Sequence, residues 1–121
     1  MSTVEPIAII GIGCRFPGGV RSADDLWKLL ADGIDAVVEV PEDRWHLPAL
    51  YSRDPARPGR TNTRWGGFLD QINQFDAQFF GISPREAEVA DPQQRLLLEV
   101  AYHAVEDAGI TLDELSGTRA S

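Results

Sequence analysis

The apolar positions of the chain fall into runs of different period, and each period names a different element. Ile7, Ile9, Ile10 and Ile12, with Ala8 between them, make an unbroken apolar run bounded by Pro6 and Gly13. It is too short for a helix and has no polar alternation, so it predicts a strand over about 6–12 that is buried on both faces. Leu26, Trp27, Leu29 and Leu30 follow at helical spacing after Ser22, Asp24 and Asp25, and Gly33 closes the run. A serine cap, an acidic first turn and a glycine stop predict a helix over about 22–32. Val37 to Val40 offers a second, weaker strand.

The longest helical pattern begins at Pro92. Leu97, Leu98, Val100, Ala101, Ala104, Val105 and Ala108 share one arc of the wheel, with Arg95, Glu99, His103, Glu106 and Asp107 opposite. This predicts a helix over about 92–108 ended by a left-handed Gly109. The centre of its apolar arc is alanine, so whatever packs there approaches closely. Ahead of it, Ser83, Pro84 and Glu86 carry the elements of a capped helix start: a hydroxyl acceptor, a proline in the first turn and a carboxylate reaching back. Asp91, Pro92 and Gln94 repeat the device. A short helix over about 84–90 is therefore set rigidly before the long one, and Phe75, Phe79, Phe80, Ile82 and Val89 are expected to pack around the joint. Beyond Ile110 and Leu112 the pattern reads as a polar tail without a further element.

Residues 41–67 hold four of the eight prolines, three glycines and five arginines, with Trp45, Tyr51 and Trp65 among them. They read as a long loop, and loops of this length are uncommon unless functional or pinned to something.

Composition narrows the classes. With 43% hydrophobic and 25% charged residues the chain is an ordinary globular sequence rather than a disordered one. Its net charge of −8 argues against nucleic acid as a partner, since phosphate binding needs a basic footprint. The charge is uneven: in residues 41–67 the five arginines face only Glu42, Asp43 and Asp54, a local +2, which leaves −10 elsewhere. No apolar run is long enough to span a membrane, and MSTVEPIAII has no signal-peptide character, so no membrane partner and a cytoplasmic location are expected. Cys14 is the single cysteine, which excludes an internal disulfide framework.

Candidate chemistry is sparse. Gly11, Gly13, Gly18 and Gly19 invite a dinucleotide reading, but the third glycine of that fingerprint falls on Phe16, followed by Pro17, so a tight strand-to-loop turn is preferred. Cys14 has no base nearby in sequence and reads as a small buried apolar residue. Cys14, His46 and His103 lack metal-ligand spacing. His103 is expected in a surface ion pair with Glu99 or Asp107. Glu86, Glu88 and Asp91 suggest an acid/base pair, yet Glu86 and Asp91 are engaged in capping. Arg53, Arg57, Arg60 and Arg64, with Tyr51 and Trp65, either contact an acidic partner or a phosphate, or form a solvated loop pinned by its aromatics. From the residues alone there is no catalytic, cofactor-binding or metal site to assign.

The strings EPIAIIGIGCRFPGG at 5–19, RWGGFLD at 64–70, FDAQFFGISPREAE at 75–88, DPQQRLLLE at 91–99 and LLLEVAYHAVEDAGI at 96–110, together with the Trp27 helix, occur in this order along nearly the whole chain. The sequence resembles the N-terminal part of the β-ketoacyl synthase domains of modular type I polyketide synthases. Ala90 departs from the family's usual methionine before Asp-Pro, in a packing position. The resemblance implies a thiolase-like layered α/β/α/β/α fold, present here only in its N-terminal portion. It also implies elongation of acyl chains by decarboxylative Claisen condensation on acyl carrier protein, with homodimers in the complete enzyme and phosphopantetheine presented by the carrier. The family's reacting cysteine and two histidines belong to motifs that do not occur in this chain, so no catalytic role passes to Cys14, His46 or His103.

The residues and the resemblance agree on one expectation. A strand buried on both faces needs neighbours on both edges, and the chain offers one good strand and one doubtful one. Apolar burial at about 25 cal/mol per Å² does not offset ordering at about 1.5 kcal/mol per residue when the partner surfaces are absent. The first reading is thus an incomplete domain, inactive alone and completed by the remainder of a ketosynthase. The alternative is a non-catalytic interaction fragment that complements a separate chain; a small independent enzyme built on Cys14 is disfavoured.

Overall fold

The computed structural model describes residues 6–116 and residue 118. Its elements are α1 (Ala23–Ala31), β1 (Val37–Glu39), α2 (Leu47–Leu50), β2 (Trp65–Gly67), α3 (Pro84–Val89), α4 (Pro92–Asp107) and α5 (Leu112–Leu115). Among the described residues the only sheet is the antiparallel pair β1–β2, in register Val37 with Gly67, Val38 with Gly66 and Glu39 with Trp65.

The helices begin where their caps are written. Ser22 Oγ accepts from the Asp25 N–H at 3.1 Å, which starts α1, and this hydroxyl is also the main reason the Asp25 carboxyl sits below its ordinary pKa. At α3 the capping box closes fully: the Glu86 N–H donates to Ser83 Oγ, while the Ser83 N–H and Oγ–H both donate to Glu86 Oε2 at 3.1 and 2.6 Å. The second start differs from the expectation by one residue. Asp91 Oδ1 takes the Gln93 N–H at 2.8 Å, and the Gln94 N–H goes to the Asp91 carbonyl instead.

The structure corrects the sequence reading at three places. The run at 6–12 has no ladder partner among the described residues and is no strand there; Ile7 and Ile9 stand 96% and 84% exposed. A strand exists only by pairing, so an apolar run without neighbours stays unclassified however strongly its composition favours one. The doubtful strand, by contrast, forms as β1 because RWGGFLD returns beside it as β2. Residues 41–67 are accordingly not one loop: they contain α2 and β2, and the bridge between Tyr51 and Thr61 pinches off a smaller excursion. The tail also holds α5, one turn whose start is a complete Thr111–Glu114 capping box.

The glycines of the first motif do two jobs. A Cβ at Gly11 would lie 2.8 Å from the Ala108 Cβ and closer still to the Ala104 carbonyl oxygen, and one at Gly13 would collide with the Val100 carbonyl. Residues 11–13 therefore lie directly on the alanine arc of α4, the close approach the helical pattern predicts. Gly18 and Gly19 take φ of 86° and 77° and reverse the chain, so that the Phe16 N–H reaches the Val20 carbonyl at 3.1 Å.

Few side chains are covered. Among the described residues the buried apolar ones are Cys14, Val20, Val40 and Ala87, whereas Trp27, Val89 and Leu97 are 70%, 83% and 69% exposed. Val89 does not join the packed joint as expected. Phe75, Phe79 and Phe80 do, with ring centroids 5.2 Å apart for Phe75–Phe80, 5.0 Å for Phe79–Phe80 and 4.8 Å for Phe79 against Tyr102 of α4.

Replacing Gly11 by Val places a branched side chain into the α4 backbone. In a complete domain, Gly11→Val is expected to cost about 3 kcal/mol or to abolish soluble expression, while Ala31→Ser at an exposed helix end stays within about 0.5 kcal/mol. Chemical denaturation of the two variants side by side checks this.

Candidate functional site

Three of the four ion pairs among the described residues converge at one place. Arg15, just after the apolar run, donates from Nη2 to the Asp70 carbonyl at 3.0 Å and lies 3.8 Å from the Asp70 carboxylate. Its Nη1 is 3.5 Å from Glu99 Oε2 on α4. Arg21, beyond the Gly18–Gly19 turn, donates from Nη2 to Asp70 Oδ2 at 2.8 Å and to Gln71 Oε1 at 2.6 Å. Gln71 is held with φ at 52°, a left-handed backbone that only a fixed surrounding maintains in a non-glycine residue. The Arg21 side chain is the chief reason that the Asp70 carboxyl lies below its ordinary 3.8, with the positive charges of Arg21 and Arg15 acting in the same direction.

Three members of this network come from different motif strings, Arg15 from the first, Asp70 from RWGGFLD and Glu99 from the helix of LLLEVAY, while Arg21 and Gln71 lie just beyond the strings. The Arg15 side chain is only 11% exposed and bridges two carboxylates, so removing it would leave Glu99 without its cation and Asp70 with Arg21 alone. The arrangement consists of guanidinium and carboxylate groups paired with one another. It fixes the register of three segments against one another.

The residues singled out from sequence are not brought together. Cys14 is buried in the turn segment, His46 precedes α2 without a side-chain capping bond, and His103 lies exposed on α4. The expected partners of His103 are used elsewhere, Glu99 by Arg15 and Asp107 by the Ile12 N–H, which donates to Asp107 Oδ2 at 2.8 Å. Among the described residues no cluster of three or more His, Cys, Asp or Glu could hold a metal ion. Glu86 serves the α3 cap, which lowers its pKa through the Ser83 hydroxyl.

The arginines of the loop separate into two sets. Arg44 Nη2 donates to the Leu69 carbonyl at 2.6 Å. Arg64 lies 3.5 Å from Glu39 Oε1, with its guanidinium 5.4 Å from the centres of both the Tyr51 and Trp65 rings. Those two hold the loop down. Arg53, Arg57 and Arg60 are exposed on the excursion between Tyr51 and Thr61. Sequence reasoning missed the Arg15–Asp70–Glu99 network because it weighed charges for chemistry and not for tying the motif strings together.

The apolar run, the turn after it, the sheet and the long helix are thus tied together by one ionic joint. The chain belongs to the β-ketoacyl synthase family, whose N-terminal domain model matches residues 4–121. It is 57% identical over 115 residues to a component of the phenolphthiocerol/phthiocerol polyketide synthase of Mycobacterium tuberculosis, covering 95% of this chain and 6% of that protein. It is 59% identical over 114 residues to the pikromycin polyketide synthase component PikAII of Streptomyces venezuelae, covering 93% of this chain and 3% of that protein. Among solved structures, the oxazolomycin ketosynthase domain of Streptomyces albus superposes with a TM-score of 0.85 at 42% identity, over 92% of this chain and 19% of that one. The ketosynthase of module 6 of the Bacillus subtilis bacillaene synthase gives 0.78 at 38% identity, over 89% and 18%. The chain thus spans less than a tenth of these curated relatives and about a fifth of these solved chains. It has the N-terminal portion of the thiolase-like fold of ketosynthases.

Asp70 gives the joint a pH signature. Its folded pKa is depressed, so its contribution is present above the unfolded value near 3.8 and is lost as pH falls through the lower folded value. Asp70→Asn in a complete domain is expected to lower stability at pH 7 and to remove part of the acid-side decline below about pH 4. Thermal melts from pH 7 to pH 3 for both proteins provide the measurement.

Proposed function

We propose that this chain is the N-terminal scaffold of a ketosynthase that elongates acyl chains by decarboxylative Claisen condensation, with substrates carried on the phosphopantetheine arm of an acyl carrier protein. The observation that carries this is the apolar run Ile7–Ile12, seated on α4 through Gly11 and Gly13 yet exposed along its isoleucines. Such a run is the edge-to-edge neighbour of further strands, and it reaches a stable state only inside a completed sheet. The Arg95 Nε, buried without a hydrogen-bond partner among the described residues, supports the same reading, because a buried donor of this kind calls for an acceptor from another segment.

In this reading the chain supplies structure and the reacting groups lie in the remainder of the domain. Cys14 takes no acyl group: it is buried in the turn, with the Arg15 guanidinium already committed to Asp70 and Glu99. The arm of the carrier enters as part of the substrate and not as a resident cofactor. The complete enzyme works as a homodimer in the cytoplasm; no helix of the described residues is long and apolar enough to cross a membrane.

Residues 1–121 alone are expected to bind a hydrophobic dye and to melt without a cooperative transition, and co-expression with the remaining part of a ketosynthase domain should restore both folding and condensation activity. A sharp, calorimetrically two-state melt of the isolated chain would speak for an independent module instead. Within the complemented enzyme, Cys14→Ala should leave acyl-thioester loading unchanged, and loss of loading would move the chemistry to this residue.

A further inference from the structure

A second polar site lies next to the ionic joint and takes no part in it. Where the start of α4 meets residues 43–44 and 71–73, a cleft of about 290 Å³ is lined by Asp43, Arg44, Gln71, Asn73, Pro92 and Arg95. Two arginines thus share one small space with a single carboxylate. The chain carries 19 Asp and Glu against 11 Lys and Arg, yet among the described residues neither Arg44 nor Arg95 has an ion-pair partner. Arg44 is partly satisfied, because its Nη2 donates to the Leu69 carbonyl at 2.6 Å. Arg95 is not: its Nε is shut off from solvent and has no acceptor among the described residues.

A guanidinium donor with neither acceptor nor water is a costly state, and native interiors leave few of them. Turning the Arg95 guanidinium about its terminal bonds presents its Nε–Nη edge to the cleft, and that edge is a planar fork that grips a carboxylate by two parallel bonds. The charge of the cleft sets the charge of its occupant. Two arginines against Asp43 leave one positive charge, which one carboxylate neutralises. A phosphate group of about two negative charges meets too little cation there and faces Asp43 as well. The N-terminal end of α4, a helix of 16 residues, adds its dipole in the same sense. The ionic joint already uses this device, since Arg15 and Arg21 hold the Asp70 carboxylate from a distant segment.

We infer that the cleft seats one Asp or Glu side chain from the part of the ketosynthase domain outside residues 1–121, and that its carboxylate pairs with Arg95. The pair pins the start of α4 to that part, as Arg15 ties the middle of α4 to the turn segment. The inference rests on the ketosynthase reading for the existence of such a part: the chain matches 19% of the solved oxazolomycin ketosynthase chain, so most of that chain lies outside the matched region.

The direct test is electron cryo-microscopy of the full-length polypeptide that contains this chain. A carboxylate oxygen from outside residues 1–121 of the same subunit, within hydrogen-bond distance of the Arg95 guanidinium, supports the inference. Asp43, a backbone carbonyl, water, a free anion or a second copy in that place overturns it. Hydrogen exchange in peptides covering α4 gives a solution test on wild type, Arg95→Leu and Arg95→Lys, read as the ratio of variant to wild-type rate at each pH. In Arg95→Leu the incoming carboxylate is stranded and its folded pKa is raised, so the penalty is present at about pH 8 and relieved toward about pH 5. Exchange in α4 should therefore accelerate about tenfold or more at the higher pH and by a smaller factor at the lower one. Arg95→Lys keeps the charge, loses the fork and should accelerate less. The same pH dependence should persist when Asp43→Asn is added. Unchanged exchange in Arg95→Leu, an equal acceleration at both pH values, or a pH dependence that disappears with Asp43→Asn overturns the pairing. If Arg95→Leu does not fold, the Lys variant and the wild-type map decide. Should the wild-type protein condense no acyl thioester, the ketosynthase reading fails by itself; neither the map nor the exchange needs turnover, so both still judge the carboxylate at Arg95.

Discussion

The contact on which the remaining structure depends is that of the 11–13 backbone with the alanine arc of α4. Two bare glycines let the chain come within touching distance of the Val100 and Ala104 carbonyls. A strand is normally held by its ladder, but this unpaired run is held by the helix: the glycines set the distance, the Asp107 carboxylate takes the Ile12 N–H, and Arg15 reaches Glu99 about two helical turns earlier. Three attachments within five residues define where the apolar run lies and which way it points. Any side chain at Gly11 or Gly13 pushes the run off the helix, and the later attachments go with it.

Much of this was legible in the sequence where the deciding interactions are local. The α1, α3 and α4 starts are written in Ser22, Ser83 and Asp91, since a cap is made by residues two or three positions apart. The same local rule applied to Thr111 and Glu114 would have found α5. The alanine arc correctly announced a close neighbour, and the glycines of the first string are that neighbour. Strands were less legible because pairing is not local: Ile7–Ile12 has the composition without the partner, while Val37–Glu39 is paired through a return 28 residues away in register, Val38 opposite Gly66.

The candidate chemistry divides in the same way. Cys14, His46 and His103 were separated by sequence context, and the structure leaves them on different segments. The ionic joint went unseen because Arg15, Asp70 and Glu99 are 55 and 29 residues apart in sequence, and no spacing rule connects them. Its members nonetheless fall within the motif strings, Arg15 in 5–19, Asp70 in 64–70 and Glu99 where 91–99 and 96–110 overlap. The strings around Arg15, Asp70 and Glu99, which carry part of the family resemblance, therefore also hold one another in place.

The distribution of exposure separates two kinds of surface. Ile7, Ile9, Trp27, Val89 and Leu97 are large apolar side chains left open on the apolar run and on three helices. Surfaces of that kind are unstable in water and suit the inside of a layered domain, where a sheet and its covering helices would bury them. The segment from Arg53 to Arg60 is the opposite case: open, polar, stiffened by prolines and closed at its base. Burying three guanidinium groups without carboxylates would cost far more than leaving them in water. Strands added beside residues 7–12 would consume the apolar faces, and the segment 53–60 is the one whose chemistry suits solvent.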